Sequence, residues 1–120
     1  MSKLYIGTSG WSYQHWKDCF YAGMAQKNWL KFYATRFSTV EINSTFYRLQ
    51  TPDTFSRWFD ETPATFRFAL KAHHYLTHNK KLLDPDASVL IEKNHALALQ
   101  EKITAVLWQL PATLHKDLIR

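Results

Sequence analysis

Thr39-Val40-Glu41-Ile42-Asn43 is the stretch on which the fold turns. A short run of β-branched residues that closes on a carboxylate and an amide reads as a buried strand ending at a polar mouth. Glu41 and Asn43 stand two apart, so in extended chain they share one face. Upstream, Trp29, Tyr33 and Phe37 recur four apart with Leu30 and Ala34 beside them, which predicts a helix from about Ala25 to Arg36 with one apolar face. Downstream, Thr51-Pro52-Asp53 has the order of a cap, a first-turn proline and an acid at a helix N-terminus. Phe55, Trp58 and Phe59 supply that helix's stripe and Pro63 ends it.

Further apolar runs place strands at Leu4–Ile6, Phe66–Leu70 and Ala105–Leu110, and a third helix from about Asp86 to Lys102 with Val89, Leu90, Leu97, Ala98 and Ile103 as its apolar positions. Strand and helix alternate without a linker or composition break, as in consecutive βα units feeding a parallel sheet. Such strands are expected to be covered on both faces. Residues from Thr113 onward read as the start of a fourth helix. The expected fold class is α/β, four parallel strands alternating with helices, in a single domain.

Composition sets outer bounds. The 120 residues are 46% apolar and 16% aromatic, ample for a packed core. Fifteen Lys and Arg against ten Asp and Glu give +5. This favours anionic partners, but the basic residues are scattered, so nucleic-acid binding is only weakly indicated. Lone Cys19 makes no internal disulfide and reads as a buried small residue in a reducing compartment, the cytoplasm. No stretch approaches the roughly 20 apolar residues that span a bilayer, and the opening Leu4-Tyr5-Ile6 is too short for a signal-peptide core.

In a sheet of parallel strands, chemistry gathers at the carboxyl ends. Gly7-Thr8-Ser9-Gly10-Trp11 follows the first strand, Glu41, Asn43 and Thr45 end the second, Lys71 follows the third, and Gln109 lies at the fourth. Thr8, Ser9 and Gly10 suit anion oxygens, although the segment is no established nucleotide fingerprint and equally reads as a plain glycine turn. Trp11 and Tyr13 suit stacking on a ring or sugar, or packing beneath the loop. Glu41 fits a general acid or base and Lys71 a stabiliser of negative charge; the structural alternative is a buried Glu41–Lys71 ion pair. His73, His74 and His78 cluster in the connection from Ala72 to Asp84. They lack a matching carboxylate or cysteine set, so no metal is assigned, and His78, close to Lys80-Lys81, is the proton-transfer candidate. A solvated basic loop is the bland reading. No nucleophile elbow is present, and no cofactor is assigned.

Ile6-Gly7-Thr8-Ser9-Gly10-Trp11, Val40-Glu41-Ile42-Asn43-Ser44-Thr45-Phe46-Tyr47, Phe66-Arg67-Phe68-Ala69-Leu70-Lys71, Leu76-Thr77-His78 and Gln109-Leu110-Pro111 occur in that order. By these motifs the chain resembles the YecE-like family, domain of unknown function 72. The departures are small: His73 and Ala112 stand where proline is common. The resemblance implies a TIM-type (β/α)8 barrel of which this chain carries the first half, apparently truncated after the fourth strand. The family's later polar motifs, including an Arg-His pair, fall outside it. Tyr47 joins Thr8, Ser9, Gly10, Trp11, Asn43 and Gln109 as a substrate-binding candidate, with Glu41, Lys71 and His78 as the catalytic set.

A half-barrel leaves two strand edges unpaired and an apolar interior uncovered. It is therefore expected to be a truncated reading frame, to pair with a copy of itself, or to meet a separately encoded second half. Three functions remain open on sequence: an enzyme acting on a small anionic or sugar-like substrate, a noncatalytic module binding nucleic acid or a metabolite, and a non-functional remnant.

Overall fold

A computed structural model describes residues 2–117. Four strands, β1 (Gly7–Ser9), β2 (Thr39–Ile42), β3 (Arg67–Lys71) and β4 (Ile103–Leu107), form one parallel sheet in the order β1-β2-β3-β4. Helices α1 (Trp29–Arg36), α2 (Ser44–Tyr47), α3 (Pro52–Asp60) and α4 (Pro85–Ala96) fill the crossovers. This is the alternating α/β order read from the sequence. No helix among the described residues is long and apolar enough to cross a membrane.

The pleat decides which face the helices cover. Val40, Ile42, Phe68 and Leu70 are fully buried and pack with Trp29, Leu30 and Tyr33 of α1, Phe55 and Trp58 of α3, and Ala96 of α4. Burying each of these apolar side chains is worth roughly 1.5–3 kcal/mol. Their alternates Thr39, Glu41, Arg67, Ala69 and Lys71 are only half-buried on the opposite face. The expectation of strands covered on both faces thus fails for the described residues. In β2 and β3 every second residue is polar or small and looks away from the helices.

Several boundaries move, each for a local reason. β1 begins at Gly7, three residues later than expected. There the backbone runs so close to β2 that a Cβ on Gly7 would lie 1.8 Å from the Thr39 carbonyl oxygen. The expected strand residues Leu4, Tyr5 and Ile6 are exposed just before it, with Ile6 N–H donating to Ser38 Oγ at 2.9 Å. β4 ends at Leu107, so Gln109 lies beyond it. Its pairing carries a bulge: Phe68 faces Ile103 but Ala69 faces Ala105, and the extra residue, Thr104, donates its hydroxyl to Phe68 O at 3.1 Å. The bulge sets Ala105 and Leu107 opposite Ala69 and Lys71.

The helices follow their caps. Thr51 Oγ1 accepts from Thr54 N–H at 3.2 Å, with Pro52 in the first turn of α3. α1 starts at Trp29 rather than Ala25, because Gln26–Asn28 wind as a separate 3₁₀ turn. α4 stops at Ala96, and Leu97–Lys102 continue as a tighter, kinked 3₁₀ segment broken at Gln100. That segment is anchored by buried Lys102, whose ammonium donates to Phe59 O at 2.6 Å, Thr62 O at 2.7 Å and Thr62 Oγ1 at 3.0 Å. Phe59 O lies in the last turn of α3, where carbonyls lack i+4 intrahelical donors, and Thr62 follows just beyond it. The stripe predicted for the third helix is also revised: Val89, Leu90 and Leu97 are exposed, whereas Glu92, Ala96 and Leu99 are buried at positions i, i+4 and i+7. The fourth helix expected from Thr113 does not form over residues 113–117, and residues 118–120 lie outside the described residues.

Candidate functional site

Parallel pairing fixes a row of neighbours at the carboxyl ends. Ser9, Glu41, Ala69 and Ala105 stand side by side on the face away from the helices, with Lys71 and Leu107 paired one row above. Ser9 Oγ donates to Glu41 Oε1 at 3.2 Å. Gly10 N–H donates to Glu41 O at 2.7 Å, and Gly10 takes the positive φ of 80° that turns the chain out of β1. Tyr13 folds back over this turn and donates its hydroxyl to Ser9 O. The result is a cleft of about 170 Å³ lined by Gly10, Trp11, Ser12, Tyr13, Asn43 and Ser44. Ser12, Tyr13 and Ser44 add hydroxyls to those of the sequence-predicted set.

A second group forms around Phe46 on α2. Lys71 Nζ lies 4.4 Å from the ring centroid, and the rings of His78 and His74 approach it at 5.1 and 5.6 Å. Thr45, fully buried, positions the pair of strand ends beneath it, donating to Ile42 O at 2.8 Å and Lys71 O at 2.6 Å. His78 is delivered by a π-helical turn, Tyr75–Asn79, which anchors itself through buried Leu76 and Thr77. Such turns are frequent at functional sites. His78 Nδ1 engages Thr77 Oγ1 at 2.8 Å and His74 Nδ1 engages Asn79 Oδ1 at 3.0 Å. His73 accepts from Tyr75 N–H through Nδ1 at 3.2 Å, and burial, followed by neighbouring His74, holds its pKa below the ordinary histidine value. Its ring is therefore biased toward the neutral form.

Ser9, Gly10, Trp11, Glu41, Asn43, Lys71 and His78 thus all lie at the carboxyl end of the sheet. Glu41 and Lys71 sit in adjacent rows without pairing. Glu41 takes its hydrogen bond from Ser9 and Lys71 rests on Phe46. Thr8 turns the other way: its hydroxyl donates to Gly10 O at 2.7 Å and shares a 2.9 Å bond with Tyr33 Oη behind the sheet. Trp11 lines the cleft but its ring stands edge-on to Trp58 of α3 at 5.0 Å. Tyr47 is two-thirds exposed and turns its edge to Phe46, and Gln109 is exposed past the end of β4. Phe46, the platform of the second group, was overlooked in the sequence; its signal was an aromatic three residues after Asn43, one helical turn into α2. Cys19, expected to be buried, is exposed.

Comparison with known proteins gives consistent matches. The family described as "Protein of unknown function DUF72" matches residues 5–119. The UPF0759 protein YecE of Escherichia coli K12 is 31% identical over 110 residues, 92% of this chain and 38% of the relative. The UPF0759 protein YunF of Bacillus subtilis is 34% identical over 79 residues, 65% of this chain and 27% of the relative. The crystal structure of a DUF72 family protein from Thermotoga maritima superposes with a TM-score of 0.80 at 28% identity, covering 95% of this chain and 46% of that one. The chain therefore spans less than half the length of the relatives it matches.

Proposed function

The chain belongs to the DUF72 family, and from that premise we propose that it is the first half of a (β/α)8 barrel whose strand ends bind a small anionic or sugar-like ligand. The observation that carries the reading is the convergence of Ser9, Glu41 and Lys71 from three adjacent strands onto one face, beside a cleft rimmed by Gly10, Ser12, Asn43 and Ser44. In a closed barrel this face is the interior and its carboxyl end is the mouth. Lys71 then supplies a positive charge held on a ring, with no carboxylate among the described residues within 4.0 Å of it. Glu41, oriented by the Ser9 hydroxyl, stands where it can exchange a proton with a bound hydroxyl or carbonyl group. His78 offers the ring nitrogen not engaged by Thr77 as a second proton carrier. Asn43 and Gln109 orient the ligand from either side.

Inorganic phosphate is the simplest probe. Titrated into the chain up to roughly ten millimolar, a range that captures weak millimolar affinity, it is expected to shift the backbone amide resonances of Gly10, Ser12 and Asn43. Lys71→Met should weaken binding at least tenfold, and Glu41→Gln should alter its pH dependence. An unperturbed mouth, or binding indifferent to Lys71→Met, overturns the reading.

A further inference from the structure

We propose that the ligand's anionic end is the dianionic phosphoryl group of a phosphate monoester, seated over Phe46 among Lys71, His74 and His78 and taken up together with protons on the two histidines. The inference rests on the ligand-binding reading above and adds the class of the anion, a binding role for His74 and the control of affinity by pH.

The cluster is assembled from three stretches of chain. β3 supplies Lys71, α2 supplies Phe46, and the π-helical turn Tyr75–Asn79 with the residue before it supplies His78 and His74. Every member thus comes from β2, β3 or the connections that follow them, and its assembly owes nothing to what borders β1 or β4. Lys71 Nζ and both imidazole rings lie within 5.6 Å of the Phe46 ring centroid, and all three basic side chains are half-buried. Three basic groups around one ring can each take a different oxygen of a tetrahedral phosphoryl group, whereas a carboxylate has only two oxygens to share among them.

The two histidines are held in one protonation pattern. Thr77, 1% exposed, donates its hydroxyl to His74 O at 3.4 Å and so turns a lone pair to His78 Nδ1 at 2.8 Å. Asn79 Oδ1, which only accepts, meets His74 Nδ1 at 3.0 Å. Nδ1 therefore carries the proton in both rings, and Nε2 is the nitrogen left for a ligand. In the neutral ring Nε2 presents a lone pair, which repels an anion oxygen; once protonated it donates to one. Proton uptake converts both rings from repelling the anion to holding it. His73, stacked on His74 at 4.5 Å, is biased toward the neutral form by burial, so it sets no second positive charge against His74. The other titratable groups packed around the cluster are engaged elsewhere. Glu41 on β2 takes the Ser9 hydroxyl, Lys80 donates its ammonium to Asp84 O at 2.7 Å, Glu92 on α4 takes the His73 N–H, and Tyr47 turns its edge to Phe46.

The test titrates the 120-residue chain with sulfate, which stays a dianion from about pH 8 down to about pH 5.5, the range in which histidines ordinarily titrate. Affinity should rise roughly tenfold over that fall in pH, as charge is added beside the anion. His74→Gln and His78→Gln should each remove part of the rise, and the double variant all of it. His78→Lys, charged throughout, should bind sulfate several-fold more tightly than the parent at the alkaline end, a gain that misfolding would not produce. Thr77→Val should move the His78 ring ¹⁵N resonances toward the other tautomer and weaken binding at the acid end. Glu92→Gln should leave the sulfate profile unchanged; a profile lost in that variant assigns the pH dependence to Glu92 and overturns the proposal. Acetate should bind more weakly than sulfate, and ribose 5-phosphate at least as tightly as inorganic phosphate; the reverse order in either pair overturns the class of anion. A sulfate affinity independent of pH, or a double variant with the parental profile, overturns the role of the histidines and leaves an anion site at Lys71 standing. Failure of both sulfate and phosphate to bind at any pH refutes the ligand-binding reading itself.

Discussion

Glu92 offers the sharpest test of the energetics. It falls on the buried stripe of α4, four residues before Ala96, and is 6% exposed. Its Oε2 accepts from His73 N–H at a long 3.4 Å, and Oε1 has no hydrogen-bond partner among the described residues. The surroundings are largely apolar, with Leu49, Leu76, Ile91 and Trp108 among the residues lining the adjoining hollow. Burial accordingly raises the Glu92 pKa, and the His73 N–H and nearby His95 only partly offset it. Because the folded pKa lies above the unfolded one, the folded state binds more protons across the window between them. Stability is greatest below the ordinary carboxylate value of 4.5 and declines as pH rises through the raised value. Above that raised value the native state carries a buried charge beside an unsatisfied oxygen, which costs about 1–3 kcal/mol. Glu92→Gln keeps the shape and an acceptor for His73 N–H while removing the charge. It should raise unfolding stability at pH 7 by about 1–3 kcal/mol, and flatten the decline between acid and neutral pH. Urea unfolding followed by tryptophan fluorescence across that range reads both quantities. A Gln variant that is less stable at pH 7, or that keeps the parental pH slope, refutes the assignment of Glu92 as a strained buried acid.

Two further outcomes follow from the packing of β1. Gly7→Ala places a methyl 1.8 Å from the Thr39 carbonyl oxygen, a backbone atom with no room to yield, and should destabilise by about 3 kcal/mol or more with loss of the β1–β2 pairing, measured by urea midpoint and amide exchange. Tyr33→Phe deletes the hydroxyl that accepts from Thr8 N–H at 2.8 Å and donates to Thr39 O at 2.9 Å, and should cost about 1–3 kcal/mol, with faster exchange of the Thr8 amide.

Much of this architecture was legible from residue patterns. Thr39–Ile42 announced itself through β-branched residues and a polar end, and α3 through Thr51-Pro52-Asp53 and its aromatic stripe. The carboxyl-end placement of Glu41, Asn43 and Lys71 followed from strand order. What escaped the reading depended on neighbours distant in sequence. Gly7 looked like a loop glycine because the approach of Thr39 is a tertiary fact. Thr8 looked like a ligand-binding hydroxyl because Tyr33, which claims it, lies 25 residues away. The Ala72–Asp84 connection hid a π-helical turn because nothing local marks the extra residue in it. Glu92 drew no reading in the sequence, since α4 turns inward the face that carries Glu92 and Ala96 while the more apolar Val89, Leu90 and Ile91 stay exposed.

The bulge at Thr104 reaches further than one displaced hydrogen bond. An inserted residue bends its strand and sharpens its twist, and β4 is an outermost strand. Past the inserted Thr104 the alternation is reset by one position, so Ala105 and Leu107 rather than Thr104 and Val106 join Glu41 and Lys71 on the face away from the helices. One inserted residue therefore decides which side chains of β4 the polar face inherits, turning the Val106 side chain back toward α4.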